Sequence, residues 1–219
     1  MLPGLILGIY AQIKLSAAYN KYVKVGIRSG LSGAQAAREI LDHTGLSDVP
    51  VQEIDGHLTD HYDPVKKALF LSPENYEGRS IASVGVAAHE TGHALQHQAA
   101  YALLKWRMML VPITNFASMA WMGLFLLGLF LGGPFFSKFI WLAIAIFGVM
   151  TLFQLVTLPV EFDASRRAKE QLFKLGLVQG DERAGVSEVL SAAAMTYVAA
   201  LVTAIFQLLR LLMIARDRD

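Results

Sequence analysis

"MMLVPITNFASMAWMGLFLLGLFLGGPFFS", residues 108–137, runs for thirty positions without a charged side chain. About 20 such residues in a helix cross the hydrocarbon core of a bilayer, so this run is long enough to span a membrane. Working outward, the stretches from Phe139 to Val160 and from Val189 to Leu209 are also free of charge, which predicts three spans. The whole chain agrees: 54% of it is hydrophobic and 17% charged, against roughly 25% charged in an average soluble domain.

The N-terminus is closer to the margin. "LPGLILGIYAQI" gives twelve uncharged residues before Lys14, and a lysine near a helix end can snorkel to the headgroups. A cleaved signal peptide would carry basic residues ahead of its apolar core. None precedes this one, and Gln12 and Lys14 interrupt it. The expectation is therefore a retained fourth span over residues 1–20. With no cysteine in the chain, disulfides and thiolate metal sites are excluded, and any metal must be held by nitrogen and oxygen. A net charge of +1 gives no basis for binding nucleic acid.

Between the spans the chain turns polar. The expected order is a span at 1–20, a folded unit at 21–107, two spans within 108–160, a loop or helix at 161–188, and a last span with a tail at 189–219. In "SGLSGAQAAREILDHTG", Ser32 is placed to cap a helix that Gly45 ends. "VPVQEI" and "KKALFLS" alternate as half-buried strands do, joined through the turn-rich "DGHLTDHYDP". From Ser80 to Trp106 an Ala-rich run with apolar residues at helical spacing predicts one continuous helix.

On that helix lies "VAAHETGHALQH", residues 86–97. At ~100° per residue, His93 stands one turn beyond His89 and about 40° round from it, so both imidazoles reach one point. H-E-x-x-H is the pattern of a hydrolytic zinc site. Two neutral imidazoles bind Zn²⁺, an open position holds water whose pKa the metal lowers, and the glutamate, here Glu90, acts as general base. The same residues also fit a polar helix face, and a site needs a third ligand. His97 continues the series, but it lies about 80° from His89 and a further turn along, too far to close a tetrahedron. "TLPVEFDASRRAKEQL" supplies a better one: Pro159 is placed to end the third span and open a new helix, with Glu161 in its first turn at the membrane surface.

Together "VAAHETGHALQHQAAYALLKWR", "LTDHYDP", "TLPVEFDASRRA" and "AAAMTYVAAL" resemble the bacterial neutral, membrane-bound zinc metallopeptidases, and the likeness runs over nearly the entire chain. The layout is similar, more distantly, to the gluzincin group of heat-shock membrane proteases and CAAX prenyl proteases. There the third ligand is the glutamate of E-x-x-A-D, and Glu161, Ala164 and Ser165 fall on those positions. Ser165 stands where that group has an aspartate, so the partner that would orient a histidine ligand is left open, with Asp163 or an acid of residues 56–64 as alternatives.

The resemblance implies a mainly α, polytopic membrane protein of about four transmembrane helices with a small α+β gluzincin-like catalytic unit. The implied activity is that of an integral-membrane zinc endopeptidase, with His89, His93 and Glu161 as ligands and Glu90 as base. In gluzincins an edge strand flanks the cleft, which makes His61 or Tyr62 a candidate to steady the oxyanion. A polar turn formed by Asp60 and Asp63 is the plainer reading of that stretch. Tyr197 is a further candidate for the oxyanion role.

The expected substrate is a membrane-associated peptide or protein, in a bacterial plasma membrane. Segments 14–107 and 161–188 hold fifteen of the nineteen Lys and Arg, which the positive-inside rule puts in the cytoplasm together with the site. Lys138 and the C-terminal "RDRD" would then lie outside. From a different class, a membrane scaffold with a structural zinc site uses the same ligands but has no need of Glu90. A metal transporter would want ionisable residues inside its spans. The oligomeric state and the cleaved protein are not legible in this sequence.

Overall fold

The helix that carries the histidines begins at Ser80, whose hydroxyl accepts from the Ser83 amide at 3.0 Å and satisfies one of the first-turn donors. The computed structural model describes residues 2–131, 135 and 139–216. Along the chain they form α1 (Leu2–Tyr22), α2 (Gly33–His43), β1 (Val51–Glu53), β2 (His61–Asp63) and β3 (Ala68–Leu71). Then follow α3 (Pro73–Tyr76), α4 (Ile81–Gln98), α5 (Ala102–Leu131), α6 (Ile140–Lys174) and α7 (Glu182–Arg216). Lys138 and the tail at 217–219 lie outside the described residues.

Among the described residues, three helices are long and apolar enough to cross a membrane: Ala102–Gly128 of α5, then α6 and α7. The fold is mainly helical with one small sheet. Helix α1 is 21 residues long but is not one of those three, so the count of about four spans is not established.

The chain divides into two units. One comprises Met1–Tyr10, Ala102–Pro159 and Tyr197–Asp219, the other Ala11–Tyr101 and Val160–Thr196. In the first, Ile140 and Ala143 of α6 pack with Leu211 and Ala215 of α7, and Trp121 of α5 meets Phe147 edge-on at 4.7 Å.

In the second unit α4 is the axis. One stripe of it, Ile81, Val84, Ala88 and Leu95, packs on Ile40 of α2, on Ala168 and Leu172 of α6, and on Val186 and Leu190 of α7. Another stripe, Ala87 and Ala94, packs on Leu41 of α2 and on Leu69 and Leu71 of β3. A helix covered on nearly every side must be built from small residues if its neighbours are to come close, which accounts for the alanines and glycines.

The sheet has the order β1-β3-β2. β1 runs parallel to β3, and β2 pairs antiparallel with it in the register His61 to Phe70, Tyr62 to Leu69 and Asp63 to Ala68. The stretch read as a connection between two strands therefore holds the third, an edge strand. Its turn chemistry is present as well, since Asp63 Oδ1 accepts from the amides of Val65 and Lys66 at 2.8 and 3.0 Å. Those amides hold the Asp63 carboxyl below its usual range. At α2 the expected ends are found: Ser32 and Gln35 form a capping box, and Gly45, at φ 76°, follows the C-cap.

Two helix boundaries differ from the sequence pattern. The run from Ser80 to Trp106 is broken at Ala99–Tyr101, because Ala100 adopts φ 50°. The Ala100 amide then bonds to the His97 carbonyl and the Tyr101 amide to that of Gln96, closing the helix in the way glycine usually does. Conversely, Pro159 neither ends nor begins a helix, since α6 continues through it to Lys174. A proline removes one amide donor without forcing the chain out of helix, and within an apolar helix the loss of that single bond is tolerated.

Candidate metal centre

His89 and His93 lie one turn apart on α4, their rings edge to face with centroids 4.9 Å apart. Across from them, on α6, stands Glu161, only 1% exposed. His89 Nε2 is 3.1 Å from Glu161 Oε2, and His93 Nε2 is 3.7 Å from Glu161 Oε1. One ligand atom from each of the three residues lies within 4.8 Å of the other two.

These residues meet because two helices touch through backbone. A Cβ added to Gly92, between Glu90 and His93, would stand 2.3 Å from the carbonyl oxygen of Ala164. Ala164 is itself fully buried. Glycine on one helix and alanine on the other bring the helices close enough for Glu161 to reach the two imidazoles.

Whether a zinc ion fits here follows from the donor set. Zinc bonds of about 2.0–2.1 Å in tetrahedral arrangement put neighbouring ligand atoms roughly 3.4 Å apart; the histidine nitrogens lie 3.1 Å from Oε2 and 3.7 Å from Oε1 of Glu161, near that value, and one ligand atom from each residue lies within 4.8 Å of the others. Two neutral nitrogens and one carboxylate, buried together, form a borderline-soft set that suits zinc. Three protein ligands, with a fourth position left open, are also what distinguishes a catalytic zinc site from a structural one.

The free ring nitrogens of both histidines are engaged. His89 Nδ1 lies 3.1 Å from Ser165 Oγ, so Ser165, and not an acid, is the residue that contacts this ring nitrogen. His93 Nδ1 lies 3.0 Å from Oε1 of Gln96. Asp163, the alternative weighed from the sequence, reaches neither ring; it accepts from Gln96 Nε2 at 2.9 Å and from Arg167 Nε at 2.6 Å, and it also pairs with Arg166. Gln96 was legible only as the residue before His97, although its spacing of three from His93 puts it on the same helix face.

Glu90, 8% exposed, accepts from the backbone amide of Tyr62 at 3.0 Å. Edge strand β2 thus holds the carboxylate that follows the first histidine. The Tyr62 hydroxyl lies 2.9 Å from His97 Nδ1, which gives His97 a place in the strand contact and not in the His–His–Glu cluster. Burial, and then the charge of Asp63, push the Tyr62 phenol above its usual value.

His61, next in the strand, is exposed; its ring stacks on Phe70 at 5.0 Å and its Nδ1 lies 2.8 Å from the Thr59 carbonyl. Successive strand residues face opposite sides of the sheet, which separates its side chain from that of Tyr62. Tyr197 is half-buried on α7, in the other unit.

A chain that has both apolar helices of spanning length and a zinc-type ligand set of two histidines and a glutamate fits the class of membrane metallopeptidases. The chain matches, over residues 1–216, the family described as "Putative neutral zinc metallopeptidase". It is 48% identical over 213 residues to "Putative membrane protease YugP" of Bacillus subtilis (strain 168), covering 97% of this chain and 93% of that protein. No solved structure matches it. The chain belongs to the neutral zinc metallopeptidase family.

Proposed function

We propose that this protein is a gluzincin-like zinc endopeptidase that cleaves membrane-associated polypeptides at the bilayer surface. The observation that carries the reading is the meeting of His89, His93 and Glu161 from two helices, while Glu90, the residue after His89, is held by the Tyr62 amide. Bound zinc supplies a Lewis acid that polarises a carbonyl and makes water acidic near neutral pH. Glu90 takes the proton from the attacking water and passes it to the leaving amine. The Tyr62 amide orients the Glu90 carboxylate for that transfer. For His61 and Tyr197 we retain an oxyanion role, which for His61 rests on its place in β2 alone. His61→Ala and Tyr197→Phe test it: each should lower kcat with zinc content unchanged, and wild-type kcat in a variant removes that residue from the mechanism.

The decisive comparison is metal content and peptide hydrolysis of the purified protein against Glu90→Gln. The variant should keep its zinc and lose hydrolysis by at least about 10²-fold, in line with loss of a general base. Wild-type turnover in Glu90→Gln would end the protease reading and leave the structural-zinc scaffold.

With α1 as a fourth span, the positive-inside rule places the centre on the cytoplasmic face of a bacterial plasma membrane. A cysteine introduced at position 45 should then resist an impermeant thiol reagent in intact cells. Ready labelling there would reverse the orientation.

A further inference from the structure

We propose that Gln96 is the positioning residue of the metal centre: it sets the tautomer of His93 and fixes that ring against the helix segment that presents Glu161. The proposal rests on the zinc reading above and adds to it a residue and a proton.

Gln96 is fully buried, and all of its side-chain polar atoms are engaged. Its Nε2 donates to two acceptors, the Val160 carbonyl at 2.7 Å and Asp163 Oδ2 at 2.9 Å. Those two acceptors decide which way the amide faces, because a flipped amide would set its oxygen against a carbonyl oxygen and a carboxylate oxygen, acceptor against acceptor. With the amide fixed, Oε1 is the atom 3.0 Å from His93 Nδ1. An oxygen there can only accept, so the proton of neutral His93 sits on Nδ1. The lone pair is then on Nε2, the atom that faces Glu161 Oε1 at 3.7 Å.

The same side chain sets a distance. Val160, Glu161 and Asp163 belong to one short segment of α6, and Gln96 grips the residues on either side of Glu161. Asp163 is itself held by Arg166 and Arg167, so the chain of contacts runs from a charged surface pair through a neutral buried amide to the ring. A carboxylate touching His93 directly would have added a buried charge beside Glu161. The amide imposes the tautomer without it.

The test uses the full chain, with zinc affinity measured by chelator competition and histidine tautomers read by ¹⁵N NMR of the imidazole rings. Gln96→Leu, close in size but unable to accept, should weaken zinc binding about 10- to 100-fold, the usual cost of losing such a partner. Gln96→Glu, which keeps the acceptor and loses the paired donors, should fall between. In the zinc-loaded wild type, a measurement that needs no variant to fold, His93 should show a protonated Nδ1 and a coordinated Nε2.

A His93 bound through Nδ1 would overturn the proposal. So would wild-type zinc affinity in Gln96→Leu beside a zinc-free His93→Ala, which leaves the centre itself intact. If His93→Ala also kept its zinc, the centre would fall and not only the role of Gln96.

Discussion

Helices α4 and α5 follow one another in the chain and solve opposite packing problems. On α4 nearly every side chain from Ile81 to Gln96 is buried against other parts of the protein, and the residues are mostly Ala, Gly, Ser and short polar groups. On α5 the large side chains Phe116, Met119 and Phe130 are each more than 70% exposed, as expected of a surface that faces lipid. Where protein covers a helix, small residues allow backbones to approach and polar side chains can be paired. Where lipid covers it, bulk and apolarity suffice and the exact residue matters less.

The largest effect expected from this contrast comes from one substitution made twice. Gly92→Ala drives a methyl group into the Ala164 carbonyl, so α4 and α6 must separate. Overpacking of this kind costs about 1–3 kcal/mol, and the separation carries Glu161 away from the imidazoles. Gly123→Ala on α5 meets nothing within 4 Å and should be neutral or stabilise by a few tenths to ~1 kcal/mol. Thermal unfolding and zinc content of both variants check this, and equal behaviour would break the comparison.

A smaller effect is expected at Ser165. Ser165→Ala removes the hydroxyl beside His89 Nδ1 and should weaken zinc binding by about 10-fold, the low end for such partners. Ser165→Asp, which puts a carboxylate acceptor beside His89 Nδ1, should bind at least as tightly as the wild type. Chelator competition measures both; unchanged affinity in Ser165→Ala would mean that the hydroxyl does not orient His89.

The contrast also explains what could be read from the sequence. Lipid-facing helices announce themselves by composition, so the three spans were legible. His89, Glu90 and His93 were legible because four-residue spacing on a helix is local geometry. Glu161 was reached through proline placement and resemblance; it does meet the two histidines, although the helix does not start there: α6 passes through Pro159.

What escaped depends on tertiary contact. Nothing in "QHQAAYALL" signals that Ala100 takes a left-handed conformation and stops α4. Three residues of β2 are too few to show an alternation, and turn formers surround them, so this edge strand was reached through the resemblance and not through its pattern. Gln96 could be identified only once α6 lay against it.

The account's central claim is that two of the three aligned histidines bind metal and that the third ligand comes from another helix. Zinc stoichiometry of Glu161→Ala and His97→Ala, measured side by side on folded protein, tests it most directly. The geometry predicts a zinc-free Glu161→Ala, as deficient as His93→Ala, and full zinc in His97→Ala, whose ring meets Tyr62 instead. Loss of zinc in His97→Ala with retention in Glu161→Ala would place the whole site on α4 and contradict the two-helix centre.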